Sequence, residues 1–213
     1  VVWYRKSFVL PGQMQGKRIL LHFGAVDYLC RVWVNGQLVT LHEGGHIGFE
    51  MEITQVLKDG ENTIVVMAED SVTDLEMPRG KQFWQKESAS IFYTRTTGIW
   101  QSVWLEAVEE RPIDSIRLTP DIDTNTVRAD IKVERCLPGD EVELIISYQG
   151  QSVKKVRTDL DGVRTTVVTA LLPEDFIDEC HYWTPEHPNL YDVEARLWHD
   201  GHLSDTVYTY FGM

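Results

Sequence analysis

The segment Cys30 to Val39, CRVWVNGQLV, restricts what this chain can fold into more than any other. Its residues alternate sides as a strand requires, Asn35-Gly36 supplies the two positive-φ residues of a type I′ turn, and Gln37 to Val39 returns antiparallel. The sequence on both sides reads as more antiparallel sheet around this hairpin. Behind it lies Leu41 to Gly48, a loop holding Gly44, Gly45, Gly48, His42 and His46.

Upstream, VVWYRKSFVL ends at Pro11-Gly12 and KRILLHF follows, both strand-like, so the chain is expected to start inside a fold. Downstream, Phe49 to Leu57 predicts a strand end and a short helical turn. Asp59 to Asn62 then turns into Thr63 to Glu69, dense in β-branched residues. From Asp70 to Gly98 no period of 2 or 3.6 is sustained, yet Phe83, Trp84, Ile91, Phe92 and Tyr93 argue against disorder. That stretch carries Arg79, Lys81, Lys86 and Arg95 against Glu76 and Glu87, a local positive excess in a chain of net charge −13. Loops on a rigid sandwich collect binding groups, so some of these charges are expected to face a ligand. The rest would form a solvated surface.

Ile99 to Glu106 closes the first unit as a strand, and the charged, Pro-terminated linker Glu109-Glu110-Arg111-Pro112 marks a boundary. Beyond it, strands are predicted at 113–120, 126–134, 141–149, 152–157, 163–170, 190–199 and 202–211. Pro138-Gly139, Gln149-Gly150, Asp161-Gly162 and Asp200-Gly201 supply turn signals between them. About seven strands in about 100 residues is the pattern of an immunoglobulin-like sandwich, here without its Cys, Trp, Cys spacing.

Composition limits the partners. With 43% hydrophobic and 25% charged residues the chain reads as an ordinary globular protein. Acidic charge spread along its length argues against nucleic acid or an anionic membrane, and no run is long and apolar enough to span a bilayer. Cys30, Cys136 and Cys180 have no paired spacing, so buried thiols are expected rather than disulfides or a thiolate zinc site, which leans toward a cytoplasmic setting. The chain opens on Val1, as a processed or excised piece would.

His42-Glu43-Gly44-Gly45-His46 is a literal H-E-x-x-H, which binds zinc when a helix places both histidines on one face. Here a helix is disfavoured. Adjacent glycines cost about 1 kcal/mol each in a helix interior, and the segment follows a hairpin directly. The glycines are expected instead where backbone turns or approaches something closely. No metal and no cofactor is assigned. The sequence has no G-x-S-x-G elbow and no phosphate-cradling glycine loop, and no single carboxylate pair stands out.

The blocks VWVNGQLV, HEGG, FEMEIT, GENTIVVMAED, YTRTTGIWQSVWLE, WTPEHPNLYDVEARL and YFGM, in this order, resemble the front half of a glycoside hydrolase family 2 enzyme. The likeness is to the β-galactosidase and β-glucuronidase group and covers nearly the whole chain. It implies an all-β protein: a jelly-roll, galactose-binding-like β-sandwich over 1–110, its N-terminal part open to truncation, then an immunoglobulin-like β-sandwich over 111–213. It also implies a (β/α)8 barrel, about 250 residues long, following in the same polypeptide. The retaining pair of carboxylates would lie there, because the family's Asn-Glu dipeptide does not occur in this chain. The chain itself is therefore expected to be inactive.

The partners the resemblance implies are a terminal β-linked sugar, met through the parent enzyme, and the barrel, with a homo-oligomer left open. In such enzymes the long jelly-roll loop reaches over the barrel mouth. Lys81, Trp84 and Tyr93 are the expected loop contacts to substrate, with Arg95 matching a family arginine that is either structural or substrate-facing. Known β-galactosidases of the family carry an acidic residue shortly before that arginine, where this chain has Ser90, Ile91, Phe92 and Tyr93. Trp33, Trp100, Trp104 and Trp183 are expected in the cores. A free-standing carbohydrate-binding module and a purely structural tandem sandwich are the competing readings.

Overall fold

The computed structural model describes residues 1–71, 74, 76–171 and 180–213, which fold as two compact units, Val1–Val108 and Glu109–Met213. Val72, Thr73 and Leu75 of the long aperiodic stretch lie outside the described residues.

The first unit runs through β1 (Val2–Val9), β2 (Arg18–Phe23), β3 (Val26–Asp27), β4 (Leu29–Val34), β5 (Gln37–Glu43), β6 (Phe49–Glu52), β7 (Glu61–Glu69), β8 (Gly98–Ile99) and β9 (Val103–Val108). They form a sheet β1-β7-β4-β5, a sheet β6-β2-β9 and the short pair β3-β8. Alternation decides what is buried. Ile19, Leu21 and Phe23 of β2 meet Cys30, Val32 and Val34 of β4 and Val66 and Ala68 of β7 in one apolar core. A short 3-10 turn at Thr54–Val56 follows β6, as the sequence suggests.

The hairpin β4-β5 turns at Asn35 and Gly36, both with positive φ (50° and 85°). Asn35 does more than turn the chain. Its side chain donates to the Val56 carbonyl at 2.8 Å and to Asn62 Oδ1 at 2.7 Å, and it accepts the Thr63 N–H at 3.0 Å. Asn62, fully buried, also accepts the Lys58 N–H and donates to the carbonyls of Lys58 and Gly60. A buried amide with every hydrogen-bonding position filled ties hairpin, turn and β7 together, its four bonds offsetting the cost of taking it out of water.

The second unit comprises β10 (Ile113–Asp121), β11 (Thr126–Val133), β12 (Asp140–Tyr148), β13 (Gln151–Asp159), β14 (Arg164–Ala170), β15 (Tyr191–His199) and β16 (His202–Phe211). A three-stranded sheet, β10-β11-β14, and a four-stranded sheet, β13-β12-β15-β16, cover one core centred on Val127, Ile131, Leu144, Tyr191, Val193 and Leu197. This is the expected immunoglobulin-like sandwich, with β13 joined to β12 rather than to the β14 sheet. Asp140 fastens its start: its buried carboxylate takes Arg111 at 3.0 Å, His199 at 2.7 Å and the Leu137 N–H at 2.7 Å. Burial alone would raise its pKa. The Leu137, Arg111 and His199 bonds outweigh burial and hold the carboxyl below its usual range.

Two expectations are corrected. The single strand foreseen over 99–106 is two, because the Gly24 N–H donates to the Ser102 carbonyl and the chain leaves the β3-β8 pair for the edge of β2. The tryptophans are not core residues: Trp100, Trp104 and Trp183 are 53%, 47% and 48% exposed, and Trp33 is half-buried. Trp100 and Trp183 lie outside the named strands, while strand alternation places Trp33 and Trp104 on outer faces, opposite Val32 and Leu105. There Trp33 stacks on Trp3 at 5.6 Å and Trp104 on His22 at 4.8 Å.

Candidate sugar-contact end of the first unit

The strand pair β3-β8, the turn after β5 and the ends of the long loop share one place in the first unit. Asp27 pairs with Gly98 across β3-β8. The Trp100 indole N–H donates to the Gly45 carbonyl at 2.7 Å, and His46 meets the Trp100 ring edge-on at 5.7 Å. Gly45 lies close against the Asp27 carboxylate, since a Cβ there would stand 2.7 Å from Asp27 Oδ1 and force it to shift. Gly98 has φ +113°, and a Cβ on it would run into the Tyr4 hydroxyl, which accepts the Ile99 N–H at 3.2 Å.

The H-E-x-x-H motif comes apart in this setting. His42 and Glu43 end strand β5, and the chain then turns. The His42 ring stacks on Phe49 at 4.0 Å with Nε2 3.1 Å from the Gly44 carbonyl, while His46 turns to Trp100. With no helix, the two imidazoles do not share a face. Among the described residues no group of His, Cys, Asp or Glu side chains is arranged to hold a metal ion.

The long loop is ordered by its own aromatic side chains and by a β-bridge between Gln82 and Tyr93. The Tyr93 N–H donates to the Lys81 carbonyl at 2.8 Å, and the Phe83 N–H to the Tyr93 carbonyl at 2.9 Å. Phe83, Trp84 and Phe92 cluster with ring separations of 4.7, 5.6 and 5.2 Å. At the loop base the Thr97 hydroxyl donates to Asp70 at 3.3 Å.

All four site residues expected from sequence lie on this loop. Tyr93 is bridged to Gln82, the neighbour of Lys81, and Lys81 and Tyr93 are both exposed, Tyr93 by 65%. Trp84, 45% exposed, and the half-buried Arg95 line one small hollow with Asp70, Arg79, Gln82 and Phe83. Among the described residues Arg95 has no hydrogen-bonding or ion-pair partner, whereas Arg79 donates to the Asp74 carbonyl.

Asp27, Gln82, His46 and Trp100 were missed by sequence reading. Gln82 donates to Asp27 Oδ2 at 3.3 Å although the two are 55 residues apart, and no local motif marks either. Burial raises the Asp27 carboxyl above its usual pKa. The Gln82 bond lowers it, the Asp70 charge raises it and His46 lowers it, in decreasing order. Such an end offers aromatic faces for the C–H faces of a pyranose, and amide, guanidinium and ammonium donors for its hydroxyls.

Two family models match. The glycosyl hydrolases family 2 sugar binding domain covers residues 1–108, and the glycosyl hydrolases family 2 model covers 112–213. A β-galactosidase from Thermoanaerobacter pseudethanolicus is 29% identical over 99% of this chain, and a β-glucuronidase from Rattus norvegicus is 27% identical over 96%. The chain spans only 28% and 33% of the length of those relatives. Among solved structures, a glycosyl hydrolase family 2 member from Bacteroides cellulosilyticus superposes with a TM-score of 0.72 at 23% identity, over 99% of this chain and 28% of that one.

Proposed function

We propose, for a chain that belongs to glycosyl hydrolases family 2 over both of its units, that it is the non-catalytic front portion of a glycosidase. In this reading the loop end of the first unit completes the pocket for a terminal β-linked sugar, and the second unit carries the polypeptide on to its catalytic barrel. The barrel supplies two carboxylates about 5 Å apart, as nucleophile and acid/base of a retaining mechanism. This chain supplies contacts, through Trp84 and Tyr93 as stacking faces and Lys81 and Arg95 as donors.

The observation that carries the reading is the loop itself. The unit that matches the sugar binding domain displays Lys81, Trp84, Tyr93 and Arg95 together on one aromatic-clustered loop. We assign the parent a β-galactosidase-like activity. A second reading, a β-glucuronidase, is favoured by Arg95 beside Trp84, whose guanidinium has no partner among the described residues and suits a sugar carboxylate.

The test is hydrolysis of nitrophenyl β-D-galactoside and β-D-glucuronide by the native polypeptide isolated from its own cells. Trp84→Ala and Tyr93→Ala should each raise KM about tenfold, since an aromatic contact contributes roughly 1–1.5 kcal/mol. The 213-residue chain alone should release no nitrophenol. Turnover by that chain alone, or loop variants with unchanged kinetics, would overturn the assignment.

A further inference from the structure

One side chain joins the aromatic loop to the rigid sandwich. Gln82 uses both ends of its amide: Nε2 donates to Asp27 Oδ2 at 3.3 Å, and Oε1 accepts the Thr96 N–H at 2.8 Å. Its backbone is bridged to Tyr93. It therefore connects three pieces of chain: the outgoing arm that carries Trp84, the returning arm that carries Tyr93 and Arg95, and strand β3.

The anchor at the other end cannot shift far. Asp27 is held by its pairing with Gly98, and Gly45 packs against its carboxylate, so that a Cβ there would stand 2.7 Å from Oδ1 and displace it. One carboxylate oxygen is thus walled in by the turn after β5, and the other meets Gln82. Asp70 and His46 are the charged and titratable groups facing this carboxyl.

We propose that Asp27 and Gln82 form a latch that positions the aromatic loop, so that Trp84, Tyr93 and Arg95 are presented together. Both residues act through the loop that they position. That the held loop meets a sugar rests on the proposed function, whereas that it is held does not.

The latch predicts a donor–acceptor exchange. Gln82→Glu keeps an oxygen for the Thr96 N–H but turns a second carboxylate oxygen toward Asp27, replacing attraction with repulsion. Asp27→Asn combined with Gln82→Glu swaps donor and acceptor and restores the bond. In the 213-residue chain, amide hydrogen exchange at Phe83 and Tyr93 should speed up about tenfold in Gln82→Glu, as expected when a hydrogen bond to a charged group is lost. It should return to within about twofold of the parent in the double variant, a coupling that a merely structural loss would not reproduce. Core amides at Val32 and Val66 should exchange as before, which shows that the sandwich is intact. Unchanged exchange in the single variant, or no recovery in the double variant, overturns the latch.

Binding of methyl β-D-galactoside and methyl β-D-glucuronide to the native polypeptide separates the two claims. If exchange follows the latch and both affinities fall with Gln82→Glu and recover in the double variant, latch and sugar role stand together. If exchange follows the latch and neither affinity changes, the latch stands and the sugar role fails.

Discussion

The two units are made in the same way, from antiparallel strands over one apolar core, but they differ in what they leave open. On the outer face of the second unit the charges close on one another. Glu143, nearly buried, is met by Lys155 at 2.9 Å and Arg196 at 3.4 Å, and Arg157 pairs with Glu141 while lying 4.7 Å over Trp198. Tyr208 and Tyr210 are exposed there as well, but on strand β16 rather than on a loop. The first unit instead leaves Trp84, Tyr93 and the Arg95 guanidinium available on a long loop, held by close glycine approaches and one amide latch. A face whose charges are already paired is a scaffold, whereas rings and donors left open at the end of a sandwich are where ligands bind.

The comparison can be broken most forcefully at Asp140. Asp140→Ala strands Arg111, His199 and the Leu137 N–H, and should cost about 3 kcal/mol, as for a broken buried ion pair, read as a lower melting temperature of the second unit. A loss confined to a few tenths would show that this clamp is not what closes the unit. In the first unit, Gly98→Ala forces a positive-φ position onto a residue with a Cβ and drives that Cβ into the Tyr4 hydroxyl. It should cost about 2 kcal/mol in chemical denaturation. Asn62→Ala, which orphans partners at the hairpin clasp, should cost about 1–3 kcal/mol by the same measurement.

Acid should separate the Asp140 and Asp27 carboxyls by sign. Asp140 has a folded pKa below its ordinary 3.8, so its contribution is present above that pH and is lost as the pH falls through the folded value. Asp27 has a folded pKa above its ordinary 3.8, so protonation on acidification relieves the burial of its charge. Melting followed from pH 6 downward should show the second unit weakening below about pH 4, and Asp140→Asn should flatten that decline. The smallest effect is expected at Trp84. Trp84→Ala should lower global stability by no more than about 1 kcal/mol, because the ring contacts it loses, to Phe83 and Phe92, lie within the loop rather than in the sandwich core. A large loss there would make the loop part of the fold rather than a contact surface.

Much of this was legible in the sequence. The hairpin could be read because Asn35-Gly36 carries its turn geometry locally, and the second unit because Gly-containing turns punctuate period-2 strands. The loop could be singled out because it lacks a period yet is rich in aromatics. What was not legible depends on distance or on facing. Alternation puts Trp33 on the side of Arg31 and Trp104 on the side of Glu106, charged neighbours that mark an outer face. The stacking partners Trp3 and His22 that cover these rings come from other strands, which no local spacing announces. Asp27 and Gln82 meet across 55 residues, on a strand and a loop that no local spacing brings together. His42 and His46 show the converse, a complete motif whose backbone never forms the helix that would give it meaning.

The most direct measurement is hydrogen exchange along the native polypeptide with and without saturating methyl β-D-galactoside or methyl β-D-glucuronide. Slower exchange around Gly44 to His46 and Arg79 to Thr96, with the strands of the second unit unchanged, is the result expected if the loop end of the first unit contacts the sugar. Protection confined to the second unit, or none in the loop while sugar is bound, would contradict it.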